Sequence, residues 1–170
     1  MEVDEHLACA MSGLTADART MVEHARVEAQ QHRFSYNEAL PLESCAQGLC
    51  DLALRFGEGD NEAMSRPFGV ALLLAGWDAL GPGLFHADPS GTFTKFDAKA
   101  IGSGSEGAQT QLQEAWRGDL SLAEAQTLAL STLKAVMEEK VSASNVDIAL
   151  VAPTYKLLSQ AEVQAVIDRL

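Results

Sequence analysis

Between Phe68 and Phe96 three apolar stretches follow one another with connections too short to hold a crossover. Phe68 to Trp77 is a nearly continuous apolar run, the pattern of a strand buried on both faces. Gly81-Pro82-Gly83 turns the chain into Leu84-Phe85-His86. Asp88-Pro89-Ser90-Gly91 places Asp, Pro and Gly at the first, second and fourth positions of a type I turn. Thr92 to Phe96 then alternates. Parallel neighbours need a long crossover, so these stretches are read as an antiparallel meander.

Helical patterns flank the meander. A strand-like Leu7-Ala8-Cys9-Ala10-Met11 closes on Ser12-Gly13 and leads to Ala18, Met21, Val22, Ala25 and Ala29, which recur at steps of three and four. Pro41 suits the first turn of a second helix, whose stripe is Leu42, Cys45, Ala46, Leu49, Leu52, Ala53 and Phe56. Gly57 to Glu62 is a polar loop. After Gly102, Ser121-Leu122-Ala123-Glu124 is a capping box, and Leu122, Ala125, Leu128, Ala129, Leu133, Val136 and Met137 are expected to be that helix's buried face. Val146 to Val151 reads as a strand. Ser159-Gln160-Ala161-Glu162 is a second capping box, opening a last helix that buries Val163, Val166, Ile167 and Leu170. The order β, α, α, β, β, β, α, α, β, α pairs helices around antiparallel strands, which is an α+β pattern rather than the alternation of a doubly wound sheet.

The charge balance narrows the function. With 12 Lys+Arg against 24 Asp+Glu, the net charge of −12 argues against a phosphate-neutralising surface for nucleic acid and against docking on an anionic membrane. Among 170 residues, 47% are hydrophobic and 21% charged, which fits one folded domain, or part of one, and not a disordered chain. Met1 to His6 is acidic and lacks the features of a secretory signal. Three cysteines do not make a disulfide framework, so a reducing compartment is expected.

The short motifs carry little chemistry. Gly102-Ser103-Gly104-Ser105-Glu106-Gly107 matches G-x-G-x-x-G, but a second parallel strand with an acidic end is missing; small residues at a tight strand-to-helix turn are the plainer reading. His6-x-x-Cys9, His24 and His32 supply no compact set of four ligands, so no metal is expected. Cys45 lies in an apolar stripe and packs as a small hydrophobe; Cys50 has no motif around it. No Gly-x-Ser-x-Gly is present. Glu138 and Glu139 splay apart. Glu58, Asp60 and Glu62 lack the Glu at position twelve of a calcium loop, where Gly69 stands. No cofactor or small-molecule ligand is expected.

Several stretches nevertheless resemble the alpha subunits of the proteasome core particle, in order and spacing, from Met1 to Leu170. They are Cys9-Ala10-Met11-Ser12-Gly13-Leu14, Ala25-Arg26-Val27-Glu28, Arg66-Pro67-Phe68-Gly69-Val70 behind an acidic loop, Leu84-Phe85-His86 with Asp88-Pro89-Ser90-Gly91, and Ala100-Ile101-Gly102-Ser103-Gly104-Ser105-Glu106-Gly107-Ala108. The resemblance implies a four-layer α/β/β/α sandwich of antiparallel sheets, of the N-terminal-nucleophile hydrolase type, in a single domain over 1–170. The turn at Gly102–Ser105 would then let a strand bend into a helix against the sheet. Arg66, Pro67, Phe68, Gly69, Asp88, Pro89, Gly91, Gly102, Ser103, Gly104 and Ser105 are the expected structural motif, with no catalytic residue.

The resemblance further implies a non-catalytic subunit of the outer seven-membered ring, with neighbouring alpha subunits and beta-ring subunits as partners, in ATP- and ubiquitin-dependent protein degradation in cytoplasm and nucleus. The family's gating tail, first helix and first hairpin have no counterpart in this sequence, so the chain alone is expected to be marginally stable, with apolar surface and a sheet edge left open. The competing reading is a stand-alone hydrolase processed to expose a nucleophile. The first threonine is Thr15, inside the chain, where it has no free amine.

Overall fold

The computed structural model describes residues 1–55 and 66–170. Phe56 and the acidic loop from Gly57 to Glu62, with its calcium-loop reading, lie outside the described residues, as do Ala63, Met64 and Ser65. The described chain divides into two compact units, Met1–Asp97 with Val151–Tyr155, and Ala98–Leu150 with Lys156–Leu170.

In the first unit five strands pair in chain order, each antiparallel to the next: β1 (Glu2–Asp4), β2 (Leu7–Gly13), β3 (Val70–Asp78), β4 (Gly81–Ala87) and β5 (Phe93–Lys95). The meander is therefore as read from its short connections. β1 was missing from that reading because three residues, two of them acidic, show no alternation. Two helices, α1 (Thr15–Tyr36) and α2 (Leu42–Leu54), separate β2 from β3. Pro41 stands one position earlier than expected, as the residue preceding α2.

Register sorts the sheet into two faces. Cys9 faces Leu74 and Gly13 faces Val70 across β2–β3, while Leu74 faces Phe85 and Leu72 faces Ala87 across β3–β4. The side chains of Cys9, Val70, Leu72, Leu74, Phe85 and Ala87 form one core with Ala18, Val22 and Ala25 of α1 and Cys45, Leu49 and Ala53 of α2. Gly76 and Gly83 lie opposite each other in the sheet. A Cβ on either would come within 3.1 or 2.7 Å of the Leu42 methyls, so this glycine pair makes room for the first residue of α2.

The other face carries Ala8, Ala10, Ser12, Ala71, Leu73, Ala75 and Leu84. Here the structure corrects the expectation for β3. Its residues alternate: Leu72 and Leu74 are 0% and 1% exposed, whereas Ala71, Leu73 and Ala75 are half-buried. A continuous apolar run records what both faces are made of, not what covers them.

The second unit holds α3 (Ser105–Ala115), α4 (Leu122–Val136) and α5 (Gln160–Ile167), and Leu130 of α4 and Val166 of α5 form a smaller core with Val141 and Val146. Both capping boxes form as read. The expected strand from Val146 shortens to β6 (Ala149–Val151), which pairs with an unforeseen β7 (Tyr155–Leu157), because Val146 joins the core instead. The expected buried face of α4 is also corrected. Leu122, Ala125, Ala129 and Leu133 are exposed, and Leu130 and Thr132 are the buried residues. Periodicity locates an apolar stripe without saying which side neighbouring helices approach. Among the described residues no helix is long and apolar enough to cross a membrane.

Candidate functional site

Arg66 is the focus of the first motif. Its Nη1 and Nη2 donate to the two carboxylate oxygens of Asp17 at 2.8 and 2.9 Å, a bidentate pair. Nη1 also reaches the Pro67 carbonyl at 3.1 Å. The Gly69 N–H donates to Asp17 Oδ2 at 2.9 Å, and the Gly69 carbonyl accepts from the Leu14 N–H at 2.9 Å. A Cβ on Gly69 would meet Leu14 Cδ1 at 2.8 Å, so a larger residue there would have to displace the Leu14 side chain. Phe68 points into the core. The Arg66-Pro67-Phe68-Gly69 string thus ties the start of β3 to the first turn of α1. Asp17, at the positive end of a helix, was not singled out from the sequence; an acid in the first helical turn after a glycine-closed strand was the available signal. The Arg66 guanidinium and the Gly69 N–H hold its carboxyl below the usual range.

The second motif closes the turn between β4 and β5. Gly91 N–H donates to the Asp88 carbonyl at 3.1 Å, the bond of a type I turn. Asp88 Oδ1 accepts from the Ser90 N–H at 2.8 Å and from the Ser90 hydroxyl, and these bonds hold its carboxyl below the ordinary value. Gly91 has φ of +82°, and the Leu54 side chain lies against it. Pro89 is exposed at the tip.

The third motif lies in the second unit. Gly102 has φ of +108°, a conformation that favours glycine. Its carbonyl accepts from the Ser105 N–H at 3.2 Å. Gly104 precedes α3 directly, and a Cβ there would be 3.0 Å from Val136 Cβ at the end of α4. The close approach at Gly104 is to the Val136 side chain of a helix. The expected strand-to-helix bend is corrected, since β5 ends at Lys95 and Gly102 follows no strand directly. Ser103 is exposed. Each motif is engaged in packing within its own unit.

The reactive side chains are similarly occupied or buried. Cys9, Cys45 and Cys50 are free thiols in the core. Burial pushes Cys9 and Cys50 up to about 11 and Cys45 up to about 12, so they are protonated and poor nucleophiles near neutral pH. Cys50, which lies outside the expected stripe, is buried along with Cys45. His6 Nε2 lies 2.7 Å from the Leu40 carbonyl, and His32 meets Glu38 at 3.3 Å and packs on Tyr36. Among the described residues no three His, Cys, Asp or Glu gather as metal ligands. Thr15 begins α1, immediately after β2 and Leu14.

The first unit is an α+β arrangement in which a meander sheet is tied to the start of α1 by an arginine–aspartate clamp. The chain belongs to the proteasome subunit family, whose family model matches residues 1–151. Its relatives are more specific. Proteasome subunit alpha type-5 of Dictyostelium discoideum is 57% identical over 176 residues, covering 100% of this chain and 73% of the relative. That of Drosophila melanogaster is 59% identical over 152 residues, covering 87% and 62%. That of Trypanosoma brucei brucei is 48% identical over 174 residues, covering 99% and 71%. The chain thus spans between 62% and 73% of the length of these relatives.

Proposed function

We propose that this chain is a non-catalytic structural subunit of the outer alpha ring of a proteasome core particle, in the position of alpha type-5. The observation that carries this reading is the match to alpha type-5 subunits along 100% of the chain at 57% identity. Its partners are neighbouring alpha subunits and the beta ring, its process is ATP- and ubiquitin-dependent protein degradation, and its compartments are cytoplasm and nucleus.

Two structural observations support the same reading. A stand-alone hydrolase of the N-terminal-nucleophile class would need Thr15 to become a chain end. That cut would remove β1 and β2, and β2 is paired along its whole length with β3. The second face of the sheet, built from the half-buried Ala71, Leu73, Ala75 and Leu84 and the exposed Ala10, is suited to pack against another sheet. It supports the four-layer sandwich as the arrangement of the assembled subunit.

Co-production with a set of proteasome alpha and beta subunits tests the proposal. The chain should enter a ring-sized particle at its intact mass of 18.1 kDa and should cleave no fluorogenic peptide by itself. Turnover by the isolated chain that disappears in Thr15→Ala, or exclusion from every particle, would overturn it.

A further inference from the structure

One side of α4 carries an apolar stripe that nothing in the chain covers. Leu122, Ala125, Ala129 and Leu133 recur at steps of three and four and fall within about 80° of arc on the helix. All four are exposed, the leucines at 49% and 39%, and no charged residue lies among them. The flanks of α4 are occupied. Leu130 joins Val166 of α5 in the core, Val136 lies against Gly104 before α3, and Gln126 Oε1 accepts from Arg169 Nη2 at 2.9 Å. On the opposite side Glu124, Ser131 and Lys134 are exposed, as on any solvated helix face. The helix thus meets water with a polar side and with an apolar one.

The order of residues along the stripe selects its occupant. In either direction it runs large, small, small, large. Laid antiparallel on a second copy, Leu122 meets Leu133 of the other chain and Ala125 meets its Ala129. The same contacts recur across the two-fold axis, which is the self-complementarity an isologous interface requires. Alanines at the centre let the two backbones approach to the short end of the usual ~8–10 Å helix separation, and leucines close both ends. Antiparallel packing also opposes the helix dipoles and sets the first turn, with Glu124, beside the last turn of the other copy, with Lys134. The net charge of −12 repels two copies at long range, but none of it sits on the stripe, and physiological salt screens it beyond about 8 Å.

We infer that the chain pairs with a second copy of itself through the α4 stripe, antiparallel, with Leu122 of each copy against Leu133 of the other. The inference goes beyond the ring-subunit reading and does not rest on it, since entry into a particle, or exclusion from one, leaves the pairing of free chains untouched. The stripe is about 16 Å long, a contact at the small end of specific interfaces, so the dimer forms and dissociates with concentration.

Sedimentation of the full chain over a concentration series tests it. The 18.1 kDa chain should pass from monomer to dimer as concentration rises. Leu122→Lys and Leu133→Glu each set a charge against leucine twice per dimer. Each should weaken dimerisation at least about tenfold while leaving the circular dichroism unchanged. Mixed in equal amounts, the two variants should dimerise again, because the new ammonium of one then meets the new carboxylate of the other and the second contact stays leucine on leucine. A parallel pair would not recover. Should a leucine variant change the circular dichroism, Ala125→Lys and Ala129→Glu carry the same exchange. A native chain that stays monomeric throughout, self-association that the substitutions leave unchanged, or a mixture that does not recover would each overturn the inference.

Discussion

Asp17 does the work of three contacts with one side chain. It accepts both arms of Arg66 and the Gly69 N–H. Asparagine there keeps one carbonyl oxygen for Gly69 but loses the charge, and alanine loses everything. Melting temperature should therefore fall in the order native, Asp17→Asn, Asp17→Ala. The native clamp should also be acid-sensitive in a definite direction. A carboxyl whose folded pKa lies below its unfolded value stabilises the fold above the ordinary carboxylate range, and that contribution is lost as pH falls through the lowered value. The difference between the native chain and Asp17→Asn should shrink on acidification, and melts at stepped pH will measure it.

Glu28 has the opposite sign. It is half-buried on α1, and its Oε2 is buried with no hydrogen-bond partner. Burial raises its pKa, with the nearby Asp51 charge adding to the effect. Its ionised form is therefore a cost that grows as pH rises from the unfolded value through the raised folded one. Glu28→Gln should stabilise the chain near pH 7, by about 1 kcal/mol, and give no gain near pH 3. Urea melts at the two pH values decide it. Neither residue was legible in the sequence, because each matters through a partner on another element: Arg66 lies 49 positions from Asp17, and Glu28 lies on α1 while Asp51 lies on α2.

At the scale of elements, what the sequence made plain was local. The capping boxes at Ser121–Glu124 and Ser159–Glu162 form, because each depends on residues three apart. The Asp88–Gly91 turn and the buried stripes of α1 and α2 were readable for the same reason. Ser121→Ala or Ser159→Ala should each cost about 1 kcal/mol, measured as a shift of the denaturant midpoint at unchanged slope. What the sequence left undecided was which apolar surface gets covered. Leu133 and Leu130 are equally apolar, yet Leu133 is 39% exposed and Leu130 is 2% exposed. Gly104 likewise announced a close approach, but nothing within its neighbourhood named Val136 as the group approached. Three-residue strands such as β1 and β7 fall below the length at which alternation can be seen.

For the whole molecule, uncovered apolar surface is the main energetic fact. Leu80 is 90% exposed, Phe34 94% and Trp77 41%, alongside the half-buried alanine face of the sheet. Surface of this kind favours association. The isolated chain should bind a hydrophobic dye and run as oligomer or aggregate in size-exclusion chromatography, and co-production with partner subunits should suppress both. A sharp, fully reversible melt of a dye-silent monomer would contradict that. Motif resemblance made the family legible across the chain, whereas the two faces of the sheet required the register of β2, β3 and β4.

The placement of sulfur has a practical consequence. Cys9, Cys45 and Cys50 all sit in the first unit's core, and the second unit has none. Alkylation of the native chain should consequently be slow and gated by opening of that one unit. Mass spectrometry after timed exposure to a thiol reagent would count how often it opens, with no engineered label, and would show whether incorporation into a particle silences the signal.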